Sequence, residues 1–480
     1  MASNTKSATL DDGRIIEYKP EVIGEGGMKT VHFTPDKKSV VCFFKDKDVG
    51  ADPQRRARLQ SIVGPFNPTT DPEVGEYWKQ LFCWPSGVVA QPEIGVVAPT
   101  YAPNFFFETG NFKGKEKQAK WFTSPKLRSY LPKEELGDWL KYIHISTRLA
   151  RAVRRMHSAG LAHSDLSNKN VLIDPKSGGA VIIDCDSLVV PQIYPPDVLG
   201  TPGYIAPEVL ATQKLELTDQ KRNLPSIKTD RYALAVLIYE YLLGRHPLRG
   251  PKVNSIVSGE EDELMSMGAK AVWIENPKDT SNRPEAAFLK VPYTKLGPYL
   301  SPLFERAFGE GLHDPNARPD AGSWEQALVK TTDLLHPCPN PNCPQKWFVF
   351  DSGDKRCPWC GTRINGQVPI LNFYREGNKG QYKSDNHRLV VWQHQRLFKW
   401  HIYDNHYAGE RADRNPQAYF ALQNGDWWLI NQAAEAMVVV AGASTPNKLI
   451  ATNAGEVLRD GMQIRLSRAA RGRLAVVQMA

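Results

Sequence analysis

The 480-residue chain contains no apolar run long enough to cross a bilayer, and its opening stretch, Met1 to Leu10, lacks the apolar core of a secretory signal. A cytoplasmic protein with no membrane partner is expected. Charge of one sign is also scarce. A formal balance of +8 is thin over this length and reads as a solvated basic surface rather than a nucleic-acid footprint, so no nucleic-acid partner is expected. Cysteine is rare, with 7 residues in all. Cys42, Cys83 and Cys185 lie scattered among apolar residues and read as buried thiols of a reducing compartment, whereas the others cluster late in the chain. What the chain does have is length and an ordinary hydrophobic fraction of 41%, which predict two or more domains.

The most informative stretch is His163-Ser-Asp165-Leu-Ser-Asn-Lys169-Asn170, followed by a short apolar strand from Val171 to Ile173. Pro175-Lys-Ser-Gly-Gly179 then turns the chain into a second apolar strand ending at Asp184. A hairpin of this kind returns a carboxylate beside the asparagine. Asn170 and Asp184 are hard oxygen ligands that suit magnesium carrying phosphate. The segment resembles the catalytic loop of protein kinases, in which an aspartate accepts a substrate hydroxyl proton and an asparagine five residues later holds magnesium. Asp165 and Asn170 stand at that interval, and Asp184 matches the second metal ligand.

The resemblance extends in both directions. Gly24-Glu-Gly26-Gly27-Met-Lys29-Thr-Val31 is similar to the family's glycine-rich loop over ATP phosphates, with Lys29 at the place of the third glycine. Val40 to Phe44 ends in Lys45, which matches the phosphate-bridging lysine, and this implies a carboxylate partner. The basic helix from Asp52 to Val63 carries none in the expected turn, so Glu76 is chosen over Glu73 on the helix that follows. The resemblance further implies that Val31 and Leu172 sandwich adenine and that Ile94 to Tyr101 forms the adjoining strand and hinge. Asn111 to Lys133, rich in lysine, reads as a mobile linker or insertion.

Apolar residues at Tyr142, Ile145, Leu149, Val153 and Met156 predict one buried helix stripe, and Asp230 to Gly244 predicts a second, almost wholly buried helix. His163 is expected to pack under the loop. Ser164 replaces the family's arginine, so gating by an activating phosphate loses its main cation. Lys169 is expected to supply the charge that steadies the transferred phosphoryl. The metal motif reads Asp184-Cys185-Asp186 in place of aspartate-phenylalanine-glycine. Gly200-Thr201-Pro-Gly-Tyr204-Ile-Ala206-Pro-Glu208 resembles the family's substrate-docking segment, where Thr201 implies serine or threonine acceptors, and Glu208 is expected to pair with Arg318.

Cys338-Pro-Asn-Pro-Asn-Cys343 and Cys357-Pro-Trp-Cys360 have the spacing of paired metal knuckles and resemble a zinc ribbon, with disulfides as the alternative. Beyond Pro369, short β-prone runs at 388–392, 397–403, 418–422, 427–430, 437–440, 463–466 and 474–478, with tight turns at Asn424-Gly425 and Asp460-Gly461, predict a β-sandwich. Its last third faintly resembles a forkhead-associated (FHA-like) domain, without that family's phosphothreonine-reading signature.

The expected architecture is α+β. It comprises a kinase N-lobe over 1–103, a C-lobe over 104–335, a zinc ribbon over 336–366 and a β-sandwich over 367–480. The expected function is ATP-, Mg2+- and Zn2+-containing bacterial serine/threonine kinase chemistry on protein substrates. The alternative is a catalytically weak pseudokinase that binds nucleotide as a scaffold. The order of domains is also similar to kinases of tellurite-resistance-type stress systems, which implies a von Willebrand A (vWA) protein and a PP2C-type phosphatase as partners.

Overall fold

The computed structural model describes residues 5–25, 28–45, 53–190, 193, 200–216, 219–377, 380–442 and 447–480. The chain forms two compact units. One comprises Met1–Gly137, Lys141–Tyr293 and Pro302–Glu325, the other Asp138–Leu140, Thr294–Ser301 and Gln326–Ala480.

In the first unit, period-two burial builds an antiparallel sheet from β1 (Lys6–Leu10), β2 (Ile15–Tyr18), β3 (Gly24–Glu25), β4 (Lys29–Phe33), β5 (Ser39–Phe44), β6 (Gly87–Gln91) and β7 (Gly95–Pro99). Their order is β2-β1-β6-β7-β5-β4-β3. Central β5 is apolar on both faces. Val41 and Phe43 pack with Ala8, Leu10, Tyr18, Val89 and Val97, while Cys42 and Phe44 pack with Leu59, Val88 and Val96. Leu59 comes from helix α1 (Pro53–Val63), which covers that second face. A short helix, α2 (Gly75–Lys79), precedes β6.

The helical part is built on two buried rods. In α3 (Trp139–Ser158), Tyr142, Ile145, Leu149, Val153 and Met156 are all at most 1% exposed, as the stripe predicts. Helix α4 (Ile227–Leu243) starts with a Ser226/Thr229 capping box and stops at Gly244, whose φ of +67° needs glycine. Between them, β8 (Val171–Asp174) and β9 (Gly179–Ile182) form the expected hairpin. Glu208 and Arg318 pair through two hydrogen bonds of 2.8 and 2.7 Å.

The lysine-rich stretch is docked rather than a loose linker. Lys117, fully buried, lies 2.8 Å from Glu135 and 3.5 Å from Asp174 and donates to the Asn104 carbonyl, and Gln118 bridges to Leu172. Lysine counts as polar in composition, but its aliphatic stem buries readily once the ammonium meets carboxylates.

In the second unit, Leu335–Pro337 pairs with Trp347–Val349. Beyond them lie a six-stranded antiparallel sheet ordered Tyr382–Val390, Pro369–Glu376, Leu474–Met479, Gln463–Arg465, Met437–Ala441 and Lys448–Ile450, and a four-stranded one containing Ala418–Gln423 and Asp426–Asn431. One core unites them, with Phe373, Val439, Ile464 and Val477 from the larger sheet meeting Phe420 and Leu429 from the smaller. At Asn424-Gly425 both φ values are positive, +52° and +89°, as an Asn-Gly hairpin turn requires.

The run at 397–403 departs from the expected strand. Arg396–Leu397 is followed by the helical turn Lys399–Ile402, because His401 Nδ1 accepts the Phe398 N–H and its Nε2 meets the buried Asp333 carboxylate. Among the described residues no helix is long and apolar enough to cross a membrane.

Candidate functional site

The loop before β8 is pinned from beneath. The fully buried His163 hydrogen-bonds the Ile183 carbonyl through Nε2 (2.9 Å), and its main-chain N–H donates to Asp230 at 2.7 Å. Ser164, at φ +65°, donates its hydroxyl to the Ser187 carbonyl. Asp165 is thereby held at the cleft. Asn170 Nδ2 donates to both its Oδ2 and its carbonyl oxygen at 2.9 Å, while Asp165 Oδ1 is buried without a hydrogen-bond partner. An orphaned buried carboxylate oxygen calls for a donor that arrives with a ligand. Asn170 commits its amide nitrogen to this contact and leaves its oxygen for a hard cation.

The cleft encloses about 930 Å³, with Gly24, Val31, Asp165, Lys169, Asn170 and Asp184 among its lining. Asp184 follows β9 in the left-handed region, at φ +62°. Its Oδ1 is 2.6 Å from Lys29 Nζ, which also contacts both Asp186 oxygens at 2.8 Å. Burial works against charge on all of these groups. It is outweighed at Lys29, whose ammonium is kept far above the usual lysine range by Asp186 and Asp184. Burial is likewise outweighed at Asp184, where Lys29 holds the carboxyl below its ordinary value. At Asp186 burial prevails and raises it.

Two expected members of the site are elsewhere. Lys45 Nζ lies 2.6 Å from Glu25, and Glu76 is 86% exposed and paired with its helix neighbour Lys79. The reason is strand parity. Val40, Cys42 and Phe44 line the cleft, so Lys45 follows Val41 and Phe43 to the other face. Lys29, directly opposite Phe44 in the β4–β5 ladder, shares the cleft face. The register of β5 decides this, and its run of apolar residues hides that register in the sequence. Leu172 is fully buried in a cluster with Cys83, Phe105, Val181 and Ile183, of which Cys83 and Ile183 line the cleft. Gly26 and Gly27 lie outside the described residues.

The second unit carries a separate cluster. The sulfurs of Cys338, Cys343, Cys357 and Cys360 all lie within 4.8 Å of one another, with Cys338–Cys360 at 3.5 Å and Cys343–Cys357 at 3.9 Å. A disulfide needs about 2.05 Å. Four thiolates at ~2.3 Å from one tetrahedral zinc stand about 3.8 Å apart. The donor set and spacing fit zinc. The side-chain hydrogen bond between Cys360 and Thr362, with main-chain support, lowers the Cys360 thiol to about 6. Sequence reading did not anticipate the buried group in which Asp333 meets His387 at 2.7 Å and His401 at 3.2 Å. His401 Nδ1 accepts a main-chain N–H, so its Nε2 carries the proton toward Asp333, which makes this a hydrogen-bonded network.

Residues 124–296 match the protein kinase domain family. Human protein kinase C delta type is 30% identical over 152 residues, covering 30% of this chain and 19% of its own length. The serine/threonine-protein kinase pkn3 of Myxococcus xanthus is 22% identical over 211 residues, covering 42% of this chain and 33% of its own. CBL-interacting protein kinase 31 of rice is 27% identical over 183 residues, with 35% and 38% covered. The chain therefore spans well under half the length of these relatives. A Toxoplasma gondii rhoptry antigen kinase domain, 13% identical, covers 68% of this chain and 86% of that one with a TM-score of 0.38. The segment 124–296 is thus similar to protein kinase domains, and serine/threonine kinases are among the proteins it resembles.

Proposed function

We propose that this chain transfers the γ-phosphoryl group of ATP to serine or threonine hydroxyls of protein substrates. The observation that carries the reading is the unpartnered, buried Oδ1 of Asp165 at the cleft, beside an asparagine whose amide nitrogen is already committed. Such an oxygen is poised to accept the acceptor hydroxyl's proton as that hydroxyl's oxygen bonds the γ-phosphorus and the bond to ADP breaks. Asp184 and Asn170 would hold magnesium, which supplies positive charge against the phosphates. Lys169 lines the same cleft and opposes the charge of the phosphoryl in flight. Little covalent work falls to the protein, so rate comes from positioning.

The Cys338, Cys343, Cys357 and Cys360 cluster is read as a structural zinc site and the two-sheet core behind it as a sandwich for partner docking. A vWA protein and a PP2C-type phosphatase are the partners to try in pull-downs, and the compartment is read as bacterial cytoplasm.

The test is incorporation of phosphate from Mg-ATP into protein acceptors by wild type and by Asp165→Asn. The variant is expected to lose at least ~100-fold in rate. Equal incorporation by the two would leave the scaffold reading, in which nucleotide binding alone is the function.

A further inference from the structure

In the cleft the described residues leave a gap in one role and a surplus in another. Strand β5 ends with Lys45 turned to the face opposite the cleft and engaged by Glu25, so no amine reaches the cleft from that strand. The cleft positions of β5 are Val40, Cys42 and Phe44. Helix α1, which packs behind them, presents Arg55 and Arg58 to the cleft and no acid. Lys29 enters from the neighbouring strand on the cleft face, opposite Phe44, with its ammonium on Asp184 and on both oxygens of Asp186. Asp186, at 6% side-chain exposure, is the more deeply buried of the two carboxylates, Asp184 being 38% exposed.

We infer that Lys29, held by Asp186, is the amine that fixes the nucleotide's phosphates in this cleft, in place of Lys45 and Glu76. The inference rests on the kinase reading of the same site. Its logic is charge accounting. A metal that claims Asp184 takes one of the two carboxylates from Lys29, and Asp186 remains to keep the ammonium at the cleft where phosphate arrives. With two carboxylates, each cation keeps a partner of its own. Asp186 is then a positioning residue, acting through Lys29. The arrangement also gives a role to the aspartate that stands where the family's metal motif has glycine.

The experiment compares Lys29→Met, Lys45→Met, Asp186→Asn and the double variant Lys29→Met/Cys42→Lys, reading phosphate transfer and, separately, the dissociation constant of ADP by calorimetry. Lys29→Met is expected to lose about 100-fold in transfer rate. It should also weaken ADP about tenfold, the size of a lost charged hydrogen bond. Lys45→Met should change neither by more than about twofold, in keeping with an exposed ion pair. Asp186→Asn should raise the KM for ATP while leaving the KM for the protein acceptor unchanged, a split that general loosening of the fold would not produce.

The double variant puts an amine back on the cleft face from the position opposite Val31 and should recover part of both losses, which also answers the objection that Lys29→Met merely misfolds. Full activity in Lys29→Met, a rise in its activity, or a loss confined to Lys45→Met would overturn the inference. Absence of Asp165-dependent transfer in the wild type would instead strike the kinase reading, and the ADP affinities alone would then judge Lys29.

Discussion

Glu76 and Glu240 carry the same functional group and illustrate opposite consequences of burial. Glu76 is solvated and engages Lys79 on its own helix, a type of pair that contributes ~0–1 kcal/mol. Glu76→Ala is therefore expected to leave phosphate transfer unchanged and to shift the melting temperature by less than about 2 °C. A large loss of transfer would show that this carboxylate reaches the cleft after all. Glu240 is buried on α4, where desolvation pushes its carboxyl up to about 8 despite the hydrogen bond it receives from Tyr204. Unfolded, a glutamate titrates near ~4.3. Between that value and about 8 the folded chain keeps a proton that the unfolded chain has lost, so stability falls as pH rises through this window, by up to ~1.4 kcal/mol per pH unit. Denaturant unfolding near pH 5 and pH 8 is expected to show this decline, and Glu240→Gln to flatten it. At this scale the loop carrying Asp165 and Asn170 was legible, because their interval lies within one loop and needs no partner to interpret it. Lys29 was not. With Val40 through Phe44 apolar on both faces of β5, alternation gives no sign of which residues meet the cleft, and a lysine closing the run looks better placed than it is.

Beside the apolar cores, a few buried charges join elements and set a local cost of disturbing them. The stretch from Asn104 to Glu135 docks beside the β8–β9 hairpin through Lys117, with Glu135 and Asp174 as its counter-charges. Removing only the cation strands two acids in a dry site. Lys117→Met is expected to destabilise the first unit by roughly 3–5 kcal/mol, whereas Lys117→Met combined with Glu135→Leu should recover part of that loss. Denaturant melts of the single and double variants make the comparison; equal losses would mean that the stretch is anchored by its aromatic contacts, such as Phe107 with Phe122, instead. Helices α3 and α4 were readable because their burial follows a helical stripe or fills the whole surface. The helical turn at Lys399–Ile402 was not, since it depends on His401 finding Asp333, a residue distant in sequence. Likewise Pro369–Glu376, a central strand of the larger sheet, carries a proline at its start and polar residues toward its end, which concealed it.

At the scale of the whole molecule, two units with separate cores imply two separable responses to metal removal. The cysteine cluster belongs entirely to the second unit, in a stretch too short to bury a core of its own, where a closed tetrahedral shell around the proposed zinc would do the work of packing. About one equivalent of zinc per chain is expected by elemental analysis of reduced protein. The remaining thiols supply an internal control. Burial raises Cys42 and Cys83 to about 12 and Cys185 well above its usual range, so these stay protonated and slow to alkylate at neutral pH. Alkylation of folded protein should therefore be slow throughout while zinc is bound. A strong chelator should release the four clustered thiols alone, lower the melting transition of the second unit, and leave ADP binding by the first within about twofold. Cys343→Ser should reproduce that pattern without chelator. Four rapidly alkylated thiols before any chelation would instead mean that the cluster binds no metal, and the close approach of those sulfurs would need another explanation.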